Sequence, residues 1–579
     1  RKTLKFYRVT GFPPPSLHRP FMEELLYVPP SLDNVVEESL SLDDSTLTPS
    51  NRTRGASYDV IPPNFQSANL REIARYGGYG VYSGQSNTDA WVRTSLKEFD
   101  RSVYDQIYGY TRRPEGTIGM YKSLLKFSDA KNEFHSLNRD QRRAMQKSIG
   151  KAKKAFKLPW KQEPLDWHDV GQFLRRDTAA GATWMGAKKG DVMEEIYHKA
   201  RWLGHRMKQD GKGQVNPSKI RFPPCLAGQR GAMSDASEPK TRLVWVYPSE
   251  MLVVEGQYAP RMYHAFMDDP NTPMLNGKSA QKLYTEWCVG LREGEMLYGL
   301  DFSSFDTKVP AWLIRVAFNI LRQNIDWETW HGETVNKRDR QKWRNVWDAM
   351  VWYFINTPML MPDGRMFRKY RGVPSGSWWT QMVDSVVNYI LVNYLTECQA
   401  TETRGLRVLG DDSAFRSCDP FGLDQAERDA ASIGMVLHPE KCDVTDDPSK
   451  FKLLGTTYRD GHAHRDTEEW FKLALYPESS VSSTGASFSR LVGLWLGGAM
   501  WNLHFCKFME YYQSCFQCPE EGWFTKDQRR WLQVVYQGKA PRGWTTKRSL
   551  FWRSIFYTYG ECNLNLVVNV PPTDTYNKS

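Results

Sequence analysis

Leu406-Arg407-Val408-Leu409-Gly410-Asp411-Asp412-Ser413-Ala414-Phe415 is the stretch from which this chain is read. Two short apolar runs flank a Gly-Asp-Asp triplet, the pattern of a hairpin whose turn carries adjacent carboxylates. Gly410 permits the tight bend. Like charges held this close repel, so such a pair persists where a cation neutralises it. The triplet alone is common, and its weight comes from the segments that precede it.

Met296-Leu297-Tyr298-Gly299-Leu300 suits a buried strand. Asp301 emerges at its end and opens Asp301-Phe302-Ser303-Ser304-Phe305-Asp306. If this strand pairs with the hairpin, Asp301 and Asp411 face each other from neighbouring strand ends, where they can hold two divalent ions. Two-metal phosphoryl transfer needs that arrangement. One ion activates an attacking hydroxyl and the other clamps the leaving group, ~4 Å away. Alone, Asp301 reads as well as a turn or cap aspartate. The ordered company of Asp411 and Asp412 weighs against that.

Gly372-Val373-Pro374-Ser375-Gly376-Ser377 reads as a loop, with a helix starting near Ser377. Thr380, Asp384 and Asn388 then share one helix face. Met382, Val383, Val386, Val387, Ile390 and Leu391 supply the buried surface. A plain surface helix is the alternative, but the glycines favour close approach of a ligand. Lys240 and Arg242 alternate along an extended segment and point to one side, suited to a triphosphate. A solvent-facing Lys-x-Arg strand is equally common. Asp177-Thr178-Ala179-Ala180-Gly181, followed by Lys188-Lys189-Gly190, is a small-residue turn with paired lysines that could guide a template strand. Lys441, closing Ile433 to Lys441, can protonate a leaving pyrophosphate. Arg139, Arg142, Arg143, Lys147, Lys151, Lys153, Lys154 and Lys157 follow a capping Asn138; a solvated helix face and phosphate contact both remain open.

In this order the segments resemble the motifs of viral RNA-dependent RNA polymerases. Asp301 and Asp306 match motif A. Ser375, Gly376, Thr380 and the polar positions Asp384 and Asn388 match motif B. Gly410, Asp411 and Asp412 match motif C, and Lys441 ends motif D. Phe451 to Gly455 resembles motif E, Lys240 and Arg242 motif F, and Thr178 to Gly181 motif G. The likeness covers about 178 to 455. Its wording is most similar to the partitivirus group of double-stranded RNA viruses, with picobirnaviruses the near second.

The resemblance implies an α+β right-hand polymerase with an RRM-like antiparallel palm sheet and largely helical fingers and thumb. The expected boundaries are an N-terminal arm at 1–60, fingers at 61–255 and palm at 256–310. A fingers/palm insertion at 311–370, palm at 371–460 and thumb at 461–579 complete the chain. The resemblance also implies RNA-directed RNA synthesis with two Mg²⁺ or Mn²⁺ ions on Asp301, Asp411 and Asp412, and Lys441 as catalytic acid. Asp306, Ser375, Gly376, Thr380, Asp384, Asn388, Lys240 and Arg242 would bind the nucleotide. Thr178, Gly181, Lys188 and Lys189 would touch the RNA template. Replication and transcription of a double-stranded RNA genome inside the capsid follow, with capsid protein as partner and the virion interior or host cytoplasm as location. One position departs from many positive-strand relatives: Asp384 stands where they carry Asn. An Asp306–Asp384 pair would repel unless a proton, a cation or an arginine intervenes. A basic neighbour or Ser375 is expected to hold Asp384.

Composition agrees with this reading. The 579 residues carry a net charge of +11 and 22 tryptophans, which favours a polyanionic partner and a large core over a disordered chain. No run reaches the ~18 apolar residues of a membrane span. The chain opens on Arg1 without the pattern of a secretory signal, so an initiator or longer leader is expected to precede it. Nine scattered cysteines form no disulfide framework, and a reducing compartment fits. His504, Cys506, Cys515 and Cys518 have partial zinc-site spacing, but the same stretch reads as an amphipathic helix. Two rivals stand beside the polymerase. A reverse transcriptase would carry an aromatic gate near the second motif A acid and an aromatic-x-Asp-Asp turn; Asp306 and Leu409-Gly410-Asp411-Asp412 count against it. A non-catalytic RNA-binding, capsid-associated protein would not need all three acids.

Overall fold

Four antiparallel strands build the sheet that carries the acidic turns. Their order is Arg404–Leu409, Asp412–Ser417, Met296–Gly299, Asp443–Thr445. The computed structural model describes residues 58–516, apart from 82–87, 129–133, 210–212, 276–289, 460–461 and positions 479, 482 and 497. The expected arm up to residue 57 lies outside these residues, as do Cys518 and the C-terminal stretch with Trp531, Trp544 and Trp552.

Leu409 pairs with Asp412 to close a two-residue turn, and Ala414 pairs with Gly299 on the other side. Asp443 pairs with Gly299 at the far edge of the same strand. Helix Thr380–Cys398 separates the first strand from the hairpin, and helix Leu423–Ser432 separates the hairpin from the last strand. Strand-helix-strand-strand-helix-strand with this spatial order is the split β-α-β arrangement, as the RRM-like expectation requires. Leu297, Tyr298, Ala414 and Phe415 are buried, and Tyr298 stacks on Phe415 at 4.9 Å.

Helix Thr380–Cys398 is buried on nearly every side, with Asp384, Ser385, Asn388 and Asn393 buried among its apolar residues. Helix Arg139–Ala155 covers it. Asn138 and Gln141 cap that helix reciprocally, and Ala144, Met145, Ile149 and Ala152 form its inner face. Lys147 and Lys151 both pair with Glu397. Part of the basic run therefore ties two helices together.

A five-stranded sheet orders Leu70–Arg75, Arg365–Lys369, Pro358–Leu360, Cys225–Ala232 and Lys240–Val246. It joins strands from the 61–255 and 311–370 segments. The helical core at the other end is also mixed. Helices Ala90–Phe99 and Arg101–Ile107 pack with Thr467–Leu475, Thr484–Leu496 and Leu503–Cys515 through Leu96, Ile107, Phe471, Phe488 and Phe508. Trp470 and Trp495 are buried in that core, not offered as stacking surfaces. Among the described residues no helix is long and apolar enough to cross a membrane.

Arg365 locks the five-stranded sheet. Its guanidinium donates to the Ile61 and Pro62 carbonyls and to Glu72 at 2.9 Å, and it lies over the Tyr121 and Phe367 rings. Both partners of the pair are nearly inaccessible. Glu72 keeps Arg75 and the Asn64 N–H, so Arg365→Met removes one charged hydrogen bond from a buried carboxylate, at a cost of about 1.5–3 kcal/mol. Thermal unfolding of that variant should show a clearly lowered midpoint; an unchanged midpoint would show that the pair contributes nothing.

Candidate active site

The Gly-Asp-Asp turn is held by neutral donors and acceptors from the helix behind it. Gly410 sits at φ 62°, in the region glycine tolerates. Its N–H donates to Ser385 Oγ at 3.0 Å. Asn388 Nδ2 donates to the Gly410 carbonyl at 2.9 Å and to the Asp412 carbonyl at 3.0 Å. Asn388 was expected at the nucleotide; instead it is fully buried and its amide is used on the turn. Ser385 was not singled out from the sequence. It lies one residue off the Thr380–Asp384–Asn388 stripe, so i, i+4 spacing skips it.

Asp301 follows the central strand by two residues. Its carbonyl accepts from the His438 N–H at 3.1 Å, and its own N–H donates to Cys442 Sγ at 3.4 Å. The side chains of Asp301, Asp411 and Asp412 are open to solvent, although protein packs closely around the last two. That surrounding protein, then Asp411 and Asp301, pushes Asp412 up to about 6. Asp411 is raised by the same packing and by Asp301, with Arg242 opposing. Asp306 is half-buried, and burial and then Asp411 push it up to about 6, again against Arg242.

Asp384 is only 4% exposed, and its Oδ1 has no hydrogen-bond partner. Burial first, then Asp306 and Asp411, hold its carboxyl well above the usual range. The expected basic neighbour or Ser375 does not hold it. Ser375 Oγ instead accepts from the Trp245 N–H at 3.2 Å. Burial and two facing acids both favour the protonated form of this carboxyl.

The loop before helix Thr380–Cys398 is tied to every neighbour. Gly372, at φ 74°, donates to the Val309 carbonyl at 2.9 Å, and Val373 N–H donates to the Asp306 carbonyl at 2.7 Å. A Cβ on Gly376 would sit 2.0 Å from the Trp245 carbonyl, so only glycine fits there. Thr380 Oγ1 donates to the Pro374 carbonyl at 2.6 Å. Glu255, fully buried, accepts from Ser377 Oγ at 2.7 Å, Trp378 N–H at 3.0 Å and Tyr247 O–H at 2.6 Å. Burial pushes it up to about 7 against those three bonds. Glu255 escaped the sequence reading, though a lone acid in the apolar run Met251-Leu252-Val253-Val254-Glu255 is a signal.

Lys240 and Arg242 are both exposed on strand Lys240–Val246, and the charge of Arg242 acts on Asp306 and Asp411. Lys188 is exposed, but Lys189 is not. Lys189 Nζ donates to Thr178 Oγ1 at 2.8 Å and to the Ala179 carbonyl at 2.7 Å, and burial lowers it to about 8. It braces the Thr178–Gly181 turn and is not presented to a template. Gly181, at φ 101°, backs onto Pro248. A cavity of about 300 Å³ between that turn and the loop is lined by Phe173, Arg175, Thr178, Gly376, Ser377 and Trp378. Lys441 is exposed at the end of the Pro439–Lys441 turn and makes no ion pair among the described residues.

Among the described residues no three His, Cys, Asp or Glu side chains close into a metal cage. Asp301 and Asp411 both act electrostatically on Asp412, and carboxylates, as hard oxygen donors, suit divalent ions whose remaining ligands are phosphate oxygens and water. For the zinc alternative, His504 Nε2 lies 2.8 Å from Asp100 Oδ2 and Cys506 is buried in the helical core, while Cys518 lies outside the described residues.

A family profile described as viral RNA-dependent RNA polymerase matches residues 67–513. The RNA-directed RNA polymerase of Cryptosporidium parvum virus 1 is 27% identical over 386 residues, covering 60% of this chain and 67% of that protein. That of White clover cryptic virus 1 is 23% identical over 274 residues, covering 42% and 44%. The chain thus spans two thirds of the first relative and under half of the second. A human picobirnavirus RNA-dependent RNA polymerase, solved as an insertion-loop deletion mutant, superposes with a TM-score of 0.51 at 14% identity. That likeness covers 72% of this chain and 76% of the other and concerns the fold.

The raised carboxyls set the sign of a pH effect. Asp306 and Asp412 hold protons up to about 6 in the folded chain, whereas an unfolded aspartate lets go near ~3.9. Between those values the native state binds more protons, so stability falls as pH rises. In chelator, the melting temperature contribution of these groups should drop from pH 4 to about pH 7, and Mg²⁺ should restore it at the upper end. Asp412→Asn should flatten the profile; an unchanged slope would count against the crowding.

Proposed function

The chain belongs to the viral RNA-dependent RNA polymerase family, and on that premise we propose that it copies RNA at the cleft framed by Asp301, Asp411 and Asp412. What supports this is that the strand ending before Asp301 pairs with the strand beginning at Asp412, that all three carboxylates are exposed, and that Asp301 and Asp411 act on Asp412. Family membership makes the protein an RNA-directed RNA polymerase that uses divalent metal ions. The specific assignment is two Mg²⁺ or Mn²⁺ ions held by Asp301, Asp411 and Asp412. When bound, they lower the pKa of the attacking 3′-hydroxyl and neutralise the leaving pyrophosphate.

The chain's own residues do the rest. Arg242 and Lys240 offer positive charge to the incoming triphosphate. Asp306 accepts a hydrogen bond from the ribose 2′-hydroxyl, while protonated Asp384 lies beneath it. Ser375, Gly376 and Thr380 shape the loop that meets the nucleotide. Thr178, Gly181 and Lys188 line the template side. Lys441 donates a proton to pyrophosphate from the turn beside Asp301. The proposed division is fingers at 61–255 with the 311–370 insertion, palm at 256–310 and 371–460, and thumb from 461. The proposed setting is replication and transcription of a double-stranded RNA genome in association with capsid protein, inside the virion or the host cytoplasm; the names of the relatives, RNA-directed RNA polymerases of viruses, support the polymerase part.

Primed and unprimed synthesis on an RNA template with Mg²⁺ tests the reading. Asp411→Ala should lower synthesis by at least about 10³-fold while leaving RNA affinity within about twofold. RNA binding with no synthesis by the parent protein would favour a non-catalytic role. Asp384→Asn replaces a protonated acid with an amide of the same shape, so the preference for ribonucleotides should persist. A large rise in deoxynucleotide use would refute the assignment of Asp306 and Asp384.

A further inference from the structure

Arg230 and Arg242 sit directly opposite one another in the hairpin of Cys225–Ala232 and Lys240–Val246. Cross-strand partners project to the same face, and like charges in that relation repel. Arg112 brings a third guanidinium to the same place. Between them lies one carboxylate, Glu478. Its Oε1 accepts from Arg230 Nη2 at 2.6 Å and lies 3.1 Å from Arg112 Nη2. Glu478 comes from the far end of the chain, three residues past helix Thr467–Leu475 in the helical core.

Two guanidiniums thus contact one carboxylate while a third, Arg242, acts on it electrostatically, and Arg242 also acts on Asp306 and Asp411. Glu478 and Arg230 are partly exposed, so their pairing is weak and exchangeable. A triphosphate brings more charge and more acceptor oxygens to guanidinium groups than one carboxylate can. We propose that Glu478 is an internal stand-in for polyphosphate, occupying the Arg112–Arg230–Arg242 cluster until the triphosphate of an incoming nucleotide replaces it. Glu478 is then a positioning residue that weakens nucleotide binding, because the free state must surrender this contact first. The identity of the ligand rests on the polymerase reading; the competition itself can be measured without synthesis.

Inorganic tripolyphosphate is titrated by calorimetry into an Asp301→Asn/Asp411→Asn protein, with and without Glu478→Gln. Glu478→Gln should tighten binding about threefold to tenfold, and Arg230→Gln should weaken it. Glu238→Gln removes one negative charge from the same hairpin without touching the cluster, and should change the affinity less than about twofold. In protein with both aspartates intact, Glu478→Gln should lower KM for nucleotides by a similar factor while kcat changes less. Unchanged or weaker tripolyphosphate binding in Glu478→Gln overturns the proposal. So does an equal gain in Glu238→Gln, which would show a general field effect. Absence of synthesis by the parent enzyme would sink the polymerase reading alone, and the titration would still decide the role of Glu478.

Discussion

Carboxylates that repel one another cannot hold their own positions, and the rest of this structure answers that constraint. Asp301, Asp411 and Asp412 reach one open face from strands paired through Ala414 and Gly299. The turn that aims two of them is gripped by Ser385 and Asn388, which carry no charge of their own. Neutral clamps suit the task. An arginine there would neutralise the acids. The helix behind the turn must therefore be rigid, and its burial on nearly every side supplies that.

The same logic extends to the loop before the helix. Val373 bonds the Asp306 backbone, Gly376 abuts Trp245, and Glu255 gathers Ser377, Trp378 and Tyr247. The second acid, the loop and the strand bearing Lys240 and Arg242 are thereby fastened together. Buried Glu255 is tolerable only because three donors satisfy it. Arg242 extends the electrostatic link outward, opposing the rise of Asp306 and Asp411 on one side and acting on Glu478 on the other.

Much of the site was legible from side-chain chemistry and spacing. The hairpin turn, the strand before Asp301 and the shared helix face of Thr380, Asp384 and Asn388 are local patterns, and the fold keeps them. Roles that depend on what lies across a gap were not legible. Asn388 looks toward ligand on a helical wheel, but its amide meets two turn carbonyls. Lys189 reads as half of a basic pair, yet its ammonium is bent inward onto Thr178 and Ala179. Asp384 reads as a charge in need of a counter-ion, whereas burial beside Asp306 and Asp411 raises its carboxyl and favours the neutral form. Helices Ala90–Phe99 and Arg101–Ile107 gave no hint that they share a core with residues near 500.

By itself the sequence determined the chemistry: which acids, glycines and cations occur, in which order, and hence the palm and its carboxylate turns. Those features follow from local periodicity and turn preference, which a linear chain records. Only the tertiary structure decided which polar groups are used for holding and which are left for ligand. That choice depends on burial and on partners hundreds of residues away, such as Glu478 with Arg112 and Arg230, and no local pattern encodes it.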